Sequence, residues 1–430
     1  MTTGVTREGL RYGVKRSGSA VAYCALSIRC GTRDEDGYPE GIAHFTEHTL
    51  FKGTQKKKAS AINSYLDRLG GELNAYTTKE EIVIHATVLK EDLNKASGLL
   101  MELATQATFP DDEVKTERGV IIDEIISYKD SPADDVYDRF EEALFKGHPL
   151  GRAILGTAAS VRKITPAQLR KFVAERFIPT SMAFTIVADI DEKKLEASIH
   201  RLSSKFFPVT PAPVIPKPVI LGRQAEDLKN RLPSRHPWAC PEDLKNGPFN
   251  IIEDKKKHEA NVVLGALAPS LYDTKDRMTA ILLANLLGGP ASNSMLGSAL
   301  REKNGWVYSV ECSYTPYADT GIFAISFGCD RPNLDRCSAT ITRILNKLRA
   351  EPLSSRRLAA ARKQLLGQIA ISSDNGEAEC LSMGKSLLSW GRISTPEEIR
   401  TSISAITPDD LLTLSRRLFA PSSLSRLIFL

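Results

Sequence analysis

Apolar residues along this chain recur at two spacings, every second position over short runs and every third or fourth over longer ones. The first pattern predicts strands and the second amphipathic helices. The run "SAVAYCALSI" (residues 19–28) reads as a strand, and residues 41–52 as a helix. Next come the helical "SAINSYLDRLG" and the strand pair "GELNAYTT" and "EEIVIHATVL". Two long helices follow near residues 91–107 and 111–129. The second opens on "FPDDE", whose carboxylates suit a helix start. Past residue 248 the patterns return: strand "EANVVLGALA", helix "DRMTAILLANLLGG", strands "GWVYSVECSYTPY" and "GIFAISFGCD", and helices near 332–350 and 354–372. The order β-α-α-β-β-α-α is thus read twice, at an offset of about 235–245 residues, with slight identity between the copies. The expected class is α+β, with two similar domains.

Nine of the 23 prolines lie between Pro208 and Pro248. Proline sustains neither a helix interior nor a central strand, so this stretch reads as an extended linker, with "AEDLKNRL" as a short helix inside it. The domains expected are residues 1–207, a proline-rich linker at 208–247, and residues 248–430. A length of 430 residues with 42% hydrophobic and 25% charged residues is ordinary for globular protein. The net charge of +5 is too diffuse to indicate a nucleic-acid partner, and the lysine triplets at 56–58 and 255–257 read as solvated loops. No run approaches the roughly 18 apolar residues of a membrane span. The seven cysteines are scattered and odd in number, which favours free thiols in a reducing compartment. The expected location is the cytoplasm.

Candidate chemistry concentrates in "GIAHFTEHTLFKGT". On a helix, His44 and His48 stand one turn apart on one face, where both imidazoles can reach a single zinc ion. Glu47 lies close to that face and can act beside the metal without binding it. A catalytic zinc needs a third protein ligand and an open position. The helix "DDEVKTERGVIIDEIISYKD" offers Glu117 and Glu124, two turns apart on one face. Glu124 sits among Ile121, Ile122, Ile125 and Ile126, and a buried carboxylate is costly unless paired or bound to metal. That cost selects Glu124 as ligand and leaves Glu117 to orient a ligand or water. The pattern alone also allows a surface helix with unliganded histidines. The other histidines, His85, His148, His200, His236 and His258, show no ligand spacing.

These segments resemble the pitrilysin and insulinase-type inverted zinc peptidases, which include the mitochondrial processing peptidase. HxxEH is the order typical of that group, and the distal "ExxxxxxE" at Glu117 and Glu124 matches in kind and separation. "GGELNAYTTKE", "GHPLGRAILGT", "FIPTSMAFTIVADI" and "LREKNGWVYSV" extend the likeness over nearly the whole chain. The resemblance implies His44, His48 and Glu124 as zinc ligands, Glu47 as general base and Glu117 as support. It implies a processing-peptidase-like fold of two homologous domains, each a mainly antiparallel sheet flanked by helices, with only the first binding metal. Two departures stand out. Thr46 replaces a usual apolar residue and faces away from the histidines, so its hydroxyl needs a partner if buried. "PASNSMLGSALR" lacks the usual Arg-Leu pair.

The resemblance further implies peptide hydrolysis inside a chamber formed by a homodimer, or by a heterodimer with a homologous chain. Tyr308 becomes a donor to the oxyanion and Arg301 a support for a substrate carbonyl. The alternating strand at residues 72–78 follows two glycines and would pair with a peptide substrate, placing Asn74, Ala75 and Tyr76 at the substrate. Each of these residues is also common in purely structural positions. A scaffold that had lost catalysis would typically have lost ligands, and here both histidines and both glutamates remain.

Overall fold

The computed structural model describes residues 1–207 and 247–430. Most of the expected linker, its short helix, Cys240 and His236 lie outside the described residues. The described chain forms two compact units. The first comprises Met1–Ile125, residues 152–207 and Ser372–Ile393; the second comprises Ile126–Gly151, residues 247–371 and Ser394–Leu430.

The strands are β1 (Thr2–Val5), β2 (Arg11–Arg16), β3 (Val21–Ile28), β4 (Glu72–Thr77), β5 (Ile82–Leu89), β6 (Met182–Ala188), β7 (Asn250–Glu253), β8 (Glu259–Ala268), β9 (Val307–Pro316), β10 (Gly321–Asp330) and β11 (Ser425–Phe429). The helices are α1 (Ile42–Leu50), α2 (Ala59–Asp67), α3 (Leu93–Gln106), α4 (Asp111–Asp130), α5 (Pro132–Leu144), α6 (Ala158–Val161), α7 (Pro166–Arg176), α8 (Glu192–Phe206), α9 (Thr274–Gly288), α10 (Leu334–Ala350), α11 (Ser355–Ser373), α12 (Gly376–Trp390), α13 (Pro396–Ala405) and α14 (Pro408–Leu418). A π-helix covers Gly297–Glu302.

The first sheet has the order β1-β2-β6-β3-β5-β4 and the second β7-β11-β8-β10-β9. Pairing is antiparallel except for β2 with β6 and β7 with β11. These two exceptions occupy equivalent places, so the repeat read in the sequence reappears strand by strand. β3 and β8 are the equivalent central strands, and β4 and β9 the equivalent edges.

Each sheet is covered on both faces. On β3, Ala22, Cys24, Leu26 and Ile28 enter the main core with α3, while Ala25 joins a smaller cluster with Cys380 and Met383 of α12. Burial on both faces explains why "VAYCALSI" is densely apolar rather than alternating. In the second unit, Val136, Phe140 and Leu144 of α5 pack on Val263, Ile322, Leu427 and Phe429. The units therefore do not follow the two halves of the sequence. α5, from the first half, completes the second unit, and the equivalent α12 completes the first.

Two positions test this packing. A Cβ on Gly384 of α12 would lie 2.3 Å from the Oγ of fully buried Ser27, whereas one on exposed Gly367 of α11 would meet nothing within 4 Å. Gly384→Ala is expected to destabilise by about 1–3 kcal/mol, and Gly367→Ala to stabilise by about 0.5–1 kcal/mol, read as opposite shifts in denaturant midpoint. Thr46 on α1 is fully buried, and its Oγ1 has no hydrogen-bond partner among the described residues. Thr46→Val removes that desolvated oxygen at nearly constant shape, and should raise stability by about 1 kcal/mol in the same measurement.

Candidate metal centre

Helix α1 starts at a constrained corner. Gly41 has a φ of +89°, and a Cβ there would lie 2.7 Å from the Leu155 carbonyl oxygen. The buried Glu35 carboxylate accepts the N–H groups of Gly41 at 3.0 Å and Ala43 at 2.9 Å. It satisfies donors that a helix start leaves without intrahelical partners and opposes the positive end of the helix dipole. Burial pushes its pKa up to about 8, against those N–H groups and the Arg152 guanidinium. The other face of α1 is anchored by Ile42 and Phe45, both fully buried.

With α1 so fixed, the His44 and His48 rings stand 4.5 Å apart between centroids. Glu124 Oε2 lies 3.8 Å from His44 Nε2 and 3.5 Å from His48 Nε2. The three residues offer one atom each within 4.8 Å of one another, the only such grouping of histidine, cysteine and carboxylate among the described residues. Tetrahedral ligands at zinc distances are separated by about 3.4 Å. Two imidazole nitrogens and one carboxylate oxygen are also a donor set that zinc accepts, so the residues fit the ion.

Glu117 Oε1 lies 2.8 Å from His48 Nδ1, and its Oε2 lies 2.6 Å from Lys52 Nζ. A proton held on Nδ1 leaves the Nε2 lone pair facing Glu124. Burial works against the charge on Glu117, yet His48 and Lys52 hold its pKa below the usual carboxylate range. Burial alone would lower the pKa of His48, but the Glu117 hydrogen bond and the carboxylates of Glu47 and Glu124 raise it on balance. Burial, with the neighbouring His48, pushes His44 down to about 3, leaving it in the neutral form that binds metals. Glu47 is raised by burial, and its Oε2 accepts a hydrogen bond from Thr77 Oγ1 at 3.2 Å.

Contrary to the expectation from the sequence, burial does not favour Glu124 over Glu117. Glu117 is the buried one, its side chain 7% exposed against 32% for Glu124. Val120 and Ile126 are about half exposed, so α4 is not a largely buried helix. Geometry toward the two imidazoles, rather than burial, distinguishes Glu124.

Asn74, Ala75 and Tyr76 lie on β4, the edge strand of the first sheet. Asn74 is exposed, Ala75 packs against the main core, and the Tyr76 ring meets His85 edge-on at 6.2 Å. Arg301 and Tyr308 belong to the second unit. Arg301, on the π-helix, pairs with Glu302 at 3.0 Å and lines a cleft of about 620 Å³ with Asn285, Glu311 and Cys312. Tyr308, on β9, is 60% exposed and donates to Asp330 at 2.6 Å. His85 pairs with Glu377, and His148 with Asp319. Glu35, Lys52 and Thr77 were not singled out by the sequence. Glu35 lies well ahead of α1 with no capping pattern, Lys52 sits in an ordinary helix exit, and Thr77 is one of a tandem pair.

Residues 14–158 match the family described as Insulinase (Peptidase family M16), and residues 163–365 match the Peptidase M16 inactive domain. An uncharacterized zinc protease of Streptomyces coelicolor is 31% identical over 387 residues, covering 90% of this chain and 80% of that protein. The uncharacterized zinc protease YmxG of Bacillus subtilis is 29% identical over 415 residues, covering 96% and 94%. A crystal structure of a protease from Helicobacter pylori shares the fold with a TM-score of 0.85 at 19% identity, covering 100% of this chain and 99% of that one. With two M16 domains in tandem and similarity to such relatives over most of both chains, the chain belongs to the insulinase family of peptidases, M16.

Proposed function

We propose that this chain is a zinc-dependent endopeptidase acting on extended or unfolded peptides. The observation that carries the proposal is the meeting of His44, His48 and Glu124 within 4.8 Å, with Glu47 on the same helix as the histidines. The relatives named as zinc proteases support it. Zinc held by those three residues would supply a Lewis acid for the peptide carbonyl.

The remaining work falls to the chain's own side chains. Glu47 takes a proton from the attacking water and delivers it to the leaving nitrogen. Glu117 keeps His48 in one tautomer and orientation. Among the described residues β4 is paired only with β5, so its other edge can offer main-chain groups to an extended peptide beside Asn74, Ala75 and Tyr76. Tyr308 and Arg301 are assigned the oxyanion and a substrate carbonyl.

The proposal includes a chamber built with a second chain, either another copy or a homologous sister. It also places the protein in the cytoplasm. The six described cysteines are free and buried, in keeping with a reducing compartment. Among the described residues no helix is long and apolar enough to cross a membrane.

Peptide-library cleavage by the purified chain, paired with metal analysis, tests the reading. One zinc per chain is expected, with cleavage by the homodimer alone or only after a sister chain is added. Glu47→Gln should retain zinc and lose roughly 10²–10⁴-fold in kcat; undiminished turnover removes Glu47 from the base role. Glu124→Ala should no longer retain zinc through gel filtration, and full retention excludes it as a ligand. Glu117→Ala should weaken metal affinity or activity by about 10–100-fold. Free zinc at a hundred times its Kd should stabilise the wild type by about 2.7 kcal/mol, seen as a Tm that falls on chelation.

A further inference from the structure

We infer that Thr77 is a positioning residue for Glu47, holding the carboxylate by Oε2 so that Oε1 is the oxygen that receives the proton. The inference rests on the peptidase reading and adds a residue to it. A glutamate side chain has three rotatable bonds, and its two oxygens are chemically equivalent until something distinguishes them. Thr77 Oγ1 supplies that distinction by donating to Oε2 at 3.2 Å.

The donor is well placed to restrain. Thr77 is the last residue of β4, in register with Ile82 of β5, so its backbone is held by a ladder rather than a loop. It is β-branched and therefore stiff about χ1. Alternation puts Thr77 on the face of β4 shared with core-packed Ala75, the side on which β4 meets α1. The adjacent Thr78 does a different job: its hydroxyl accepts the N–H groups of Glu80 at 3.2 Å and Glu81 at 3.0 Å and shapes the turn. Of the tandem pair, Thr77 is the one bonded to Glu47.

The restraint has a specific use. Glu47 immediately precedes a metal-ligating histidine in sequence, and an unrestrained carboxylate there can swing onto the ion and occupy the position that catalysis needs open. Because β4 is also the strand assigned to substrate, the same contact ties the base to the register of the bound peptide.

The test compares Thr77→Val, which keeps the shape and branching, with Thr77→Ser, which keeps the hydroxyl, in zinc-loaded full-length protein. Thr77→Val should lower kcat about tenfold, the loss of one hydrogen bond to a charged group, with KM within about twofold and zinc content unchanged. Thr77→Ser should recover most of kcat, and Thr77→Val should cost nothing further in a Glu47→Gln background. Unchanged kcat, an equal loss in the Glu47→Gln background, or lost zinc would each overturn the inference. If zinc-loaded wild type cleaves no peptide, the peptidase reading is what fails. Thr77 is then judged on cobalt-substituted protein: visible absorption that changes with Thr77→Val but not Thr77→Ser upholds the restraint, and identical spectra refute it.

Discussion

The hydrogen bond between Glu117 and His48 is the constraint on which the centre depends. It joins two helices that are far apart in sequence, and it does so with a carboxylate that burial would otherwise disfavour. The charge on Glu117 is tolerable because His48 and Lys52, both from the α1 segment, lie against it. The same bond aims the free nitrogen of His48 at Glu124. Packing of α4 beside α1 and the orientation of the donor atoms are therefore one requirement. Glu35 meets the complementary one at the start of α1, where a buried acid holds the helix end that carries His44.

Much of this was legible in the sequence. Strong periodicity exposed the central strands and the long helices, because burial on one or both faces forces apolar residues into those spacings. The spacing of His44, Glu47 and His48 is fixed by the α-helix itself, so it could be interpreted without coordinates. Glu117 and Glu124 could be picked out as candidates because they share a helix face, but burial, which pointed to Glu124, belongs to Glu117, and only the coordinates set Glu124 beside both imidazoles.

What was not legible depended on contacts with no local signature. Glu35 and Thr77 act across the fold through single hydrogen bonds, and nothing in their immediate neighbours marks them. Helices α5 and α12 have ordinary amphipathic patterns, and a pattern reports that an apolar stripe is covered without naming the sheet that covers it. The hydroxyl of Thr46 shows a related limit: the sequence flagged that it needs a partner, and only coordinates could reveal that it has none among the described residues.

The crosswise use of α5 and α12 has a consequence for how the polypeptide could be divided. A fragment ending before the proline-rich stretch would carry α5 with no surface to receive it, and would leave bare the strip of β3 and β6 that α12 shields. The complementary fragment would have the mirror deficit. Neither piece is a self-contained folding unit, yet each holds the missing plug for the other, so two co-expressed halves have a structural reason to find one another and reassemble.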